Sequence, residues 1–153
     1  MEIHGSTYIV VKGFSFESSH ITYTKEKGDY GLHGHSFNVE VKIEGTPDPD
    51  TYIIIDTSMI KELISKIIGE LDHKIVLGEK QRNIAKILEK AGLDYTSIPF
   101  PQASMEALSQ YIGTILWNKL KTENNVLGLE TCVSQGINEY ACYSVKKNRL
   151  PPA

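Results

Sequence analysis

The chain has 153 residues, a length that fits one domain with its own hydrophobic core. Its 41% hydrophobic and 23% charged residues are ordinary for a globular protein. The formal net charge of −3 provides no basic field for nucleic acid, and no apolar run approaches the ~20 residues that span a bilayer. We therefore expect a single domain over residues 1–153, with neither nucleic acid nor a membrane as partner.

The cysteine content and the N-terminal segment both indicate a location. Cys132 and Cys142 are too few for a disulfide framework, which is typical of a reducing compartment. We interpret Cys132 as a small packing residue. The N-terminal segment lacks a charged leader followed by an apolar core, so we expect no signal peptide and a cytoplasmic protein.

Two segments near the N-terminus alternate as strands do. The first runs from Tyr8 to Phe16, and the second from Ser36 to Glu44. The polar, glycine-containing stretch from Thr22 to Gly31 is too long for a tight hairpin. We expect it to form a functional loop or a bulged turn.

Two long helices and a closing pair of strands follow. Asp56 is a good N-cap for a helix whose apolar residues recur at three- and four-residue spacing as far as Leu71. Ser104 is a good N-cap for a second helix that reaches Leu120. The remaining predicted elements are a short helix over Gln81–Ala91 ended by Gly92, and strands over Val126–Val133 and Tyr140–Val145.

The order of these elements predicts an α+β fold. Strands, helices and strands in succession are typical of an antiparallel sheet with the helices on one face. The other face of the sheet needs cover, so we expect the protein to oligomerise.

Three histidines in the first two strands form a candidate metal site. His33 and His35 are two residues apart, so in a strand both imidazoles point the same way. His20 arrives from the neighbouring strand. Three histidine nitrogens with one open position are the pattern of a catalytic zinc site. The alternative is that these histidines are ordinary hydrogen-bonded residues.

Two further constellations carry carboxylates. Asp72 precedes His73, and a carboxylate that orients a histidine suits acid–base catalysis. Adjacent residues need not touch, however, and the sequence alone favours the alternative that both are solvated residues at a helix end. Glu130 lies in an otherwise apolar strand, where it either accepts paired N–H donors from a heterocycle or faces solvent.

These residues, in this order, resemble the 6-pyruvoyltetrahydropterin synthase family, which includes the 6-carboxytetrahydropterin synthases of the queuosine pathway. The resemblance covers residues 8–145. The matching segments are Phe16-Glu17-Ser18-Ser19-His20, Leu32-His33-Gly34-His35-Ser36-Phe37, Ile55-Asp56, Leu71-Asp72-His73, Ser104-Met105-Glu106 and Glu130-Thr131.

The resemblance implies a tunnelling fold, in which a four-stranded antiparallel sheet with two long helices on one face assembles into a barrel of three copies, commonly paired into a homohexamer. It implies Zn²⁺ held by the three histidines as cofactor, and a proton relay containing Asp72 and His73. It also implies a pterin anchored by Glu130 between subunits, with Thr131, Ser104 and Glu106 among the substrate-binding residues.

One departure from the family pattern changes the expected chemistry. Members that make the pyruvoyl or carboxy product have a catalytic cysteine a few residues before His-Gly-His, and this chain has none there. Asp29 falls where the cysteine aligns, and Glu26 lies slightly earlier. Each of these two carboxylates is either a proton acceptor in place of the cysteine or a loop charge among lysines.

The segment from Lys74 to Gln102 is also long for the family. We expect it either to shape the pocket or to be an outer embellishment.

Three functions are therefore open. The first is a zinc-dependent carbon–oxygen lyase acting on 7,8-dihydroneopterin triphosphate, giving a 6-pyruvoyl- or 6-carboxy-tetrahydropterin. The second is retro-aldol cleavage to 6-hydroxymethyl-dihydropterin, which some relatives with glutamate in place of the cysteine perform. The third is a non-catalytic protein that binds a pterin or purine.

Overall fold

The computed structural model describes residues 5–148, and the bounds of the elements follow. The strands are β1 (Thr7–Thr24), β2 (Gly28–Gly45), β3 (Lys74–Leu77), β4 (Tyr95–Ser97), β5 (Val126–Gln135) and β6 (Tyr140–Lys146). The α-helices are α1 (Thr57–Leu71), α2 (Arg82–Ala91) and α3 (Met105–Leu120), and a 3₁₀ turn covers Glu79–Gln81.

The six strands form one sheet in the order β4-β3-β1-β2-β5-β6. The predicted antiparallel strands β1, β2, β5 and β6 lie side by side, which confirms the α+β class. The sheet has two strands more than the four predicted, because β3 and β4 extend it by parallel pairing beside β1. These strands have 4 and 3 residues, too few to show an alternating pattern in the sequence.

The expectation that the stretch from Thr22 to Gly31 is too long for a tight hairpin was wrong, whereas the bulge expected there is present as a register shift between Ile21 and Tyr23. β1 and β2 continue as far as a tight turn over residues 25–27, and they pair as far as Thr24 with Gly28. Gly28 and Gly31 have φ values of +73° and +71°, which a residue with a side chain rarely adopts. The turn is closed by the Lys27 N–H, which donates to Thr24 Oγ1.

The helices begin and end where their capping residues predict. The Asp56 side chain accepts from the Ser58 N–H at the start of α1, and Ser104 accepts from the Ala107 N–H at the start of α3. Gly92 ends α2 in the left-handed conformation. No helix among the described residues is long and apolar enough to cross a membrane.

The core lies between one face of the sheet and the two long helices. Val39, Val41 and Ile43 of β2 point into it and are at most 2% exposed. α1 contacts β1, and α3 contacts β5 and β6. On the opposite face, Tyr8 and Val10 are about half exposed. The part of the chain that the structure describes therefore covers only one face of its sheet.

The interpretation of the cysteines was wrong. Cys132 of β5 and Cys142 of β6 stand directly opposite each other and form a disulfide. Cys132 is therefore a cross-link rather than a packing residue. No local pattern indicates this pairing, because it depends on the register of two strands, which is set only when the chain folds.

Candidate metal centre

The three predicted metal ligands meet at one point of the β1–β2 hairpin. His20 stands directly opposite His33 in the paired strands. His35 lies two residues further along β2, on the same face as His33. One ring nitrogen of each histidine lies within 4.8 Å of a ring nitrogen of both others. The extended hairpin therefore produces the cluster that the spacing of the histidines predicts.

Hydrogen bonds to backbone carbonyls decide which nitrogens face the cluster. His20 Nδ1 lies 2.7 Å from the Ala103 oxygen, and His33 Nδ1 lies 3.0 Å from the Gly31 oxygen. A carbonyl oxygen only accepts, so both Nδ1 atoms carry hydrogen and both neutral rings have a lone pair on Nε2. These two Nε2 atoms are 3.0 Å apart.

Two lone pairs at that separation repel each other unless a cation or a shared proton lies against them. His35 Nε2 is also buried, and it has no hydrogen-bond partner among the described residues. The cluster therefore offers three imidazole nitrogens whose bonding is incomplete. Three such donors fit Zn²⁺, and the carbonyls that hold His20 and His33 are the outer partners that metal-bound histidines usually have.

The electrostatics of the cluster keep the rings in the form that binds metal. Burial lowers the pKa of His20, and charge on His33 and His35 lowers it further, whereas the bond to Ala103 opposes the shift. Burial is also the largest cause of the lowered pKa of His35; charge on His33 adds to it and Glu139 opposes it. Because a metal binds only the unprotonated nitrogen, these shifts favour ligation.

The predicted acid–base pair does form a contact. Asp72 Oδ2 lies 2.9 Å from His73 Nδ1. The backbone around the pair is fixed by Glu17, whose N–H donates to Asp72 Oδ1 and whose carbonyl accepts from the His73 N–H, both at 2.7 Å. The Glu17 N–H, followed by the bond from His73, holds the pKa of Asp72 below its usual range. His73 and His35 line the same cavity of about 620 Å³.

The carboxylates proposed to replace the missing cysteine lie near the turn of the hairpin. Asp29 Oδ1 accepts from the Gly31 N–H at 2.8 Å, and the Gly31 carbonyl accepts in turn from His33. Glu26 is exposed in the turn itself. Neither residue lines the cavity of about 420 Å³ that His33 and His35 share with Ser104.

Two other carboxylates do line that cavity. Glu106, one of the predicted substrate-binding residues, reaches it from the first turn of α3. Glu139 reaches it from the connection between β5 and β6, where Gln135 Nε2 donates to its Oε1 at 3.1 Å. Sequence reasoning missed Glu139, because no motif in the sequence indicates that this turn lies beside the histidines.

Glu130 lies on the other face of the sheet. It stands opposite Lys42 in the β2–β5 pairing, and Lys42 is an odd number of positions from His33 and His35 along β2. Its carboxylate accepts from Ser144 Oγ at 3.2 Å and lies 3.7 Å from Lys42 Nζ. It lines a separate cavity of about 440 Å³ together with Cys132 and Cys142.

Thr131, the predicted neighbour of Glu130 in substrate binding, faces the core. Its side chain is fully buried beneath α3, where a Cβ added at Gly113 would lie 3.1 Å from its Oγ1. That hydroxyl has no hydrogen-bond partner among the described residues. Adjacent strand residues point to opposite faces, so Glu130 and Thr131 present their side chains to different surroundings.

The family model and the similar proteins of known name agree on one family. The model of the family described as 6-pyruvoyl tetrahydropterin synthase matches residues 8–144. A Methanocaldococcus jannaschii protein, named provisionally as a 6-carboxy-5,6,7,8-tetrahydropterin synthase, is 28% identical over 147 residues, covering 86% of this chain and 90% of that protein. A Pyrococcus furiosus dihydroneopterin monophosphate aldolase is 31% identical over 75 residues, covering 49% of this chain and 55% of that protein.

The fold matches that of solved structures. The 6-pyruvoyl tetrahydropterin synthase of Plasmodium vivax superposes with a TM-score of 0.75 at 23% identity, covering 94% of this chain and 100% of that one. A second structure of the Plasmodium vivax enzyme is of a catalytic-residue mutant in which a glutamate is replaced by cysteine, with a TM-score of 0.74 at 24% identity, covering 94% of this chain and 100% of that one.

Proposed function

The chain belongs to the 6-pyruvoyl tetrahydropterin synthase family, and on this premise we propose that it is a zinc-dependent lyase acting on 7,8-dihydroneopterin triphosphate or a close relative. The observation that carries the proposal is the cluster of His20, His33 and His35. Its three ring nitrogens converge and lack a complete set of hydrogen-bond partners among the described residues, and three such nitrogens suit Zn²⁺. When bound, zinc supplies Lewis acidity toward the side-chain oxygens of the substrate.

His73 and Glu130 are proposed to supply the remaining functions. His73 is exposed, oriented by Asp72, and lines a cavity with His35, so it is placed to give or take a proton. Glu130 offers a carboxylate for the paired N–H donors of a pterin ring, with Ser144 and Lys42 holding it in place. The proposal assigns proton transfer to His73 and recognition of the ring to Glu130.

The positions of these residues require more than one copy of the chain. The histidine cluster and Glu130 lie on opposite faces of the sheet, so one small molecule cannot reach both within a single chain. A substrate held by both must lie between two copies, one contributing the cluster and its neighbour contributing Glu130. The half-exposed apolar residues beside Glu130 are consistent with a covered surface. We therefore infer a homo-oligomer, a trimer or a hexamer.

The absence of a thiol favours a second reaction for the same site. Both cysteines of the chain are joined in a disulfide on the strands that carry Glu130. In retro-aldol cleavage, a base takes the proton of the C2′ hydroxyl and the C1′–C2′ bond breaks. C1′ then gains a proton, which gives 6-hydroxymethyl-dihydropterin and an aldehyde fragment. The name of the Pyrococcus furiosus relative supports an aldol cleavage, and the catalytic glutamate of the Plasmodium vivax enzyme supports a carboxylate as a catalytic group.

Product analysis separates these reactions. Zinc-loaded protein is mixed with 7,8-dihydroneopterin triphosphate and, separately, with the monophosphate, with and without an aldehyde trap, and the products are identified by mass spectrometry. A pyruvoyl or carboxy side chain supports the first reaction, and a hydroxymethyl product with a trapped aldehyde supports the second. Tight binding without any product would instead indicate a pterin-binding protein.

Three conservative variants then identify the proton acceptor. Glu26→Gln, Asp29→Asn and Glu139→Gln each remove one carboxylate charge while keeping the size of the side chain. Loss of an acid–base group typically costs about 10²–10⁴-fold in rate, so the acceptor is the residue whose variant falls in that range with zinc still bound. If all three variants keep the wild-type rate, none of these carboxylates takes part.

A further inference from the structure

The connection between α1 and α3 is braced against the strand that carries His20. The Glu79 N–H donates to the Phe100 carbonyl at 2.7 Å, so the start of the 3₁₀ turn holds the backbone that leads into α3. Gly78 fits so closely there that an added Cβ would lie 2.3 Å from the Pro101 oxygen. Residues 78–81 and 100–103 therefore form one packed unit, which we call the brace.

Two glutamine side chains attach the brace to β1. Gln81 donates from Nε2 to the Ile21 carbonyl at 2.7 Å, and its Oε1 accepts from the Gly78 N–H at 2.9 Å. Gln102 makes two bonds to one residue of β1: its Oε1 accepts from the Tyr23 N–H at 2.9 Å and its Nε2 donates to the Tyr23 carbonyl at 3.2 Å.

These bonds replace a neighbouring strand where β1 has none. Within residues 5–148, β3 pairs with β1 only at Ser18 and Ser19. Beyond that point the pairing of β1 with β2 is also irregular, with a register shift between Ile21 and Tyr23. The glutamine amides supply the donor and acceptor that an adjacent strand would otherwise offer, so they fix the end of β1 where its pairing with β2 is irregular.

The same brace provides the partner of a metal ligand. Ala103 follows Gln102 directly, and its carbonyl accepts from His20 Nδ1 at 2.7 Å. This bond sets the tautomer of His20 and aims its Nε2 at His33. Gln102 therefore joins the strand that bears His20 to the carbonyl that orients the His20 ring.

We propose that Gln102 is a positioning residue for the metal centre, which holds the Ala103 carbonyl and β1 in the register that directs His20 Nε2 at the metal. The inference rests on the proposed metal centre and is independent of the substrate. Outer partners of metal-bound histidines typically contribute about 10–100-fold to metal affinity. Because Gln102 acts through Ala103, we expect an effect of about tenfold, at the low end of that range.

The test measures the affinity of the folded, metal-free protein for Zn²⁺ by competition with a chromogenic chelator. Gln102→Ala is expected to bind zinc about tenfold more weakly than the wild type. Gln110→Ala is the matched control, because Gln110 is exposed on α3 and outside the brace. It is expected to keep the wild-type affinity. Gln102→Glu keeps the acceptor for the Tyr23 N–H but loses the donor, so a smaller loss is expected.

The absorption spectrum of the Co²⁺-substituted proteins distinguishes positioning from general destabilisation. A change in the His20 geometry alters the ligand field and hence the visible bands of Gln102→Ala, whereas reduced folding stability alone leaves the bands of the folded protein unchanged. Zinc affinity and cobalt spectrum both equal to those of Gln110→Ala would overturn the inference. If Gln102→Ala does not fold, Gln102→Glu decides by the same two readouts. A wild-type protein that binds no zinc would overturn the metal centre itself.

Discussion

The position of one hydrogen on each imidazole determines what the cluster can bind. The carbonyls of Ala103 and Gly31 each take an Nδ1–H, which leaves the Nε2 lone pairs of His20 and His33 facing each other at 3.0 Å. A cation or a shared proton between the two nitrogens removes the repulsion between these lone pairs.

Replacing one ligand tests the centre at this scale. His33→Ala is expected to lose stoichiometric zinc, because the two imidazoles that remain bind the ion more weakly than three do. The measurement is the zinc content of the purified protein by elemental analysis. His73→Ala is the matched control, since it removes an exposed histidine outside the cluster. Retained stoichiometric zinc in His33→Ala would refute the assignment of the ligands.

The same control variant tests the proposed proton relay. His73→Ala is expected to lower kcat by about 10²–10⁴-fold while its zinc content stays at the wild-type level, because the variant removes an acid–base group that does not bind the metal. Steady-state kinetics on the product-forming substrate give the measurement. A wild-type kcat in His73→Ala would exclude the histidine from proton transfer.

At the scale of elements, the close approach of α3 to the sheet depends on a glycine. A Cβ added at Gly113 would lie 2.8 Å from Tyr143 Cδ1 and 3.1 Å from Thr131 Oγ1. At Gly69, which lies in α1, nothing lies within 4 Å of such an atom. The two positions share the helical backbone and differ in what surrounds them.

A pair of alanine substitutions separates helix propensity from packing. Gly69→Ala is expected to raise the free energy of unfolding by up to about 1 kcal/mol, the usual preference of a helix for alanine. Gly113→Ala is expected to lower it by about 1 kcal/mol, because overpacking of about 1–3 kcal/mol exceeds the same gain. Denaturant unfolding of the metal-free proteins measures both. Equal stabilisation by the two substitutions would mean that α3 can shift away from the sheet at little cost.

The disulfide between β5 and β6 can be tested in the same way. It closes a short segment, with a sequence separation of 10 residues, so the loop-entropy model limits its contribution to about 2–3 kcal/mol. We expect no reactive thiol in the protein denatured without reductant, and a loss of stability of up to that amount after reduction. Two reactive thiols per chain in the unreduced protein would show that the disulfide does not form.

At the scale of the whole molecule, the arrangement of faces predicts a site shared between copies. The histidine cluster and Glu130 belong to opposite faces of one sheet, so each proposed site draws on two chains. The proposed shared site therefore predicts that activity belongs to the assembly rather than to the monomer.

Mixing two inactive variants tests the shared site. His33→Ala lacks the metal centre, and Glu130→Ala lacks the anchor for the ring. If each site takes its cluster from one subunit and its carboxylate from another, random mixing in equal amounts restores about a quarter of the sites. Activity after dissociation and reassembly of the mixture is compared with that of each variant treated alone. No recovery in reassembled oligomers would place both groups in the same subunit.

Most of the secondary structure and the clustering of the three histidines were predictable from local signals. The caps Asp56 and Ser104 mark the starts of the long helices, and the spacing of His33 and His35 on a strand puts both rings on one face. His20 was predictable because it lies on the neighbouring strand of the same hairpin. These features depend only on residues close in sequence and on the fixed geometry of helices and strands, so the sequence alone determined them.

Only the tertiary structure decided the features that join distant segments. The Cys132–Cys142 disulfide requires a specific register between two strands, and the bonds from Gln81 and Gln102 to β1 cross 60 and 79 positions of the chain. The place of Glu139 beside the histidines likewise depends on how the last turn packs. No periodic pattern of residues in the sequence indicates such contacts. Their geometry arises from the packing of the whole core rather than from the preferences of any one segment.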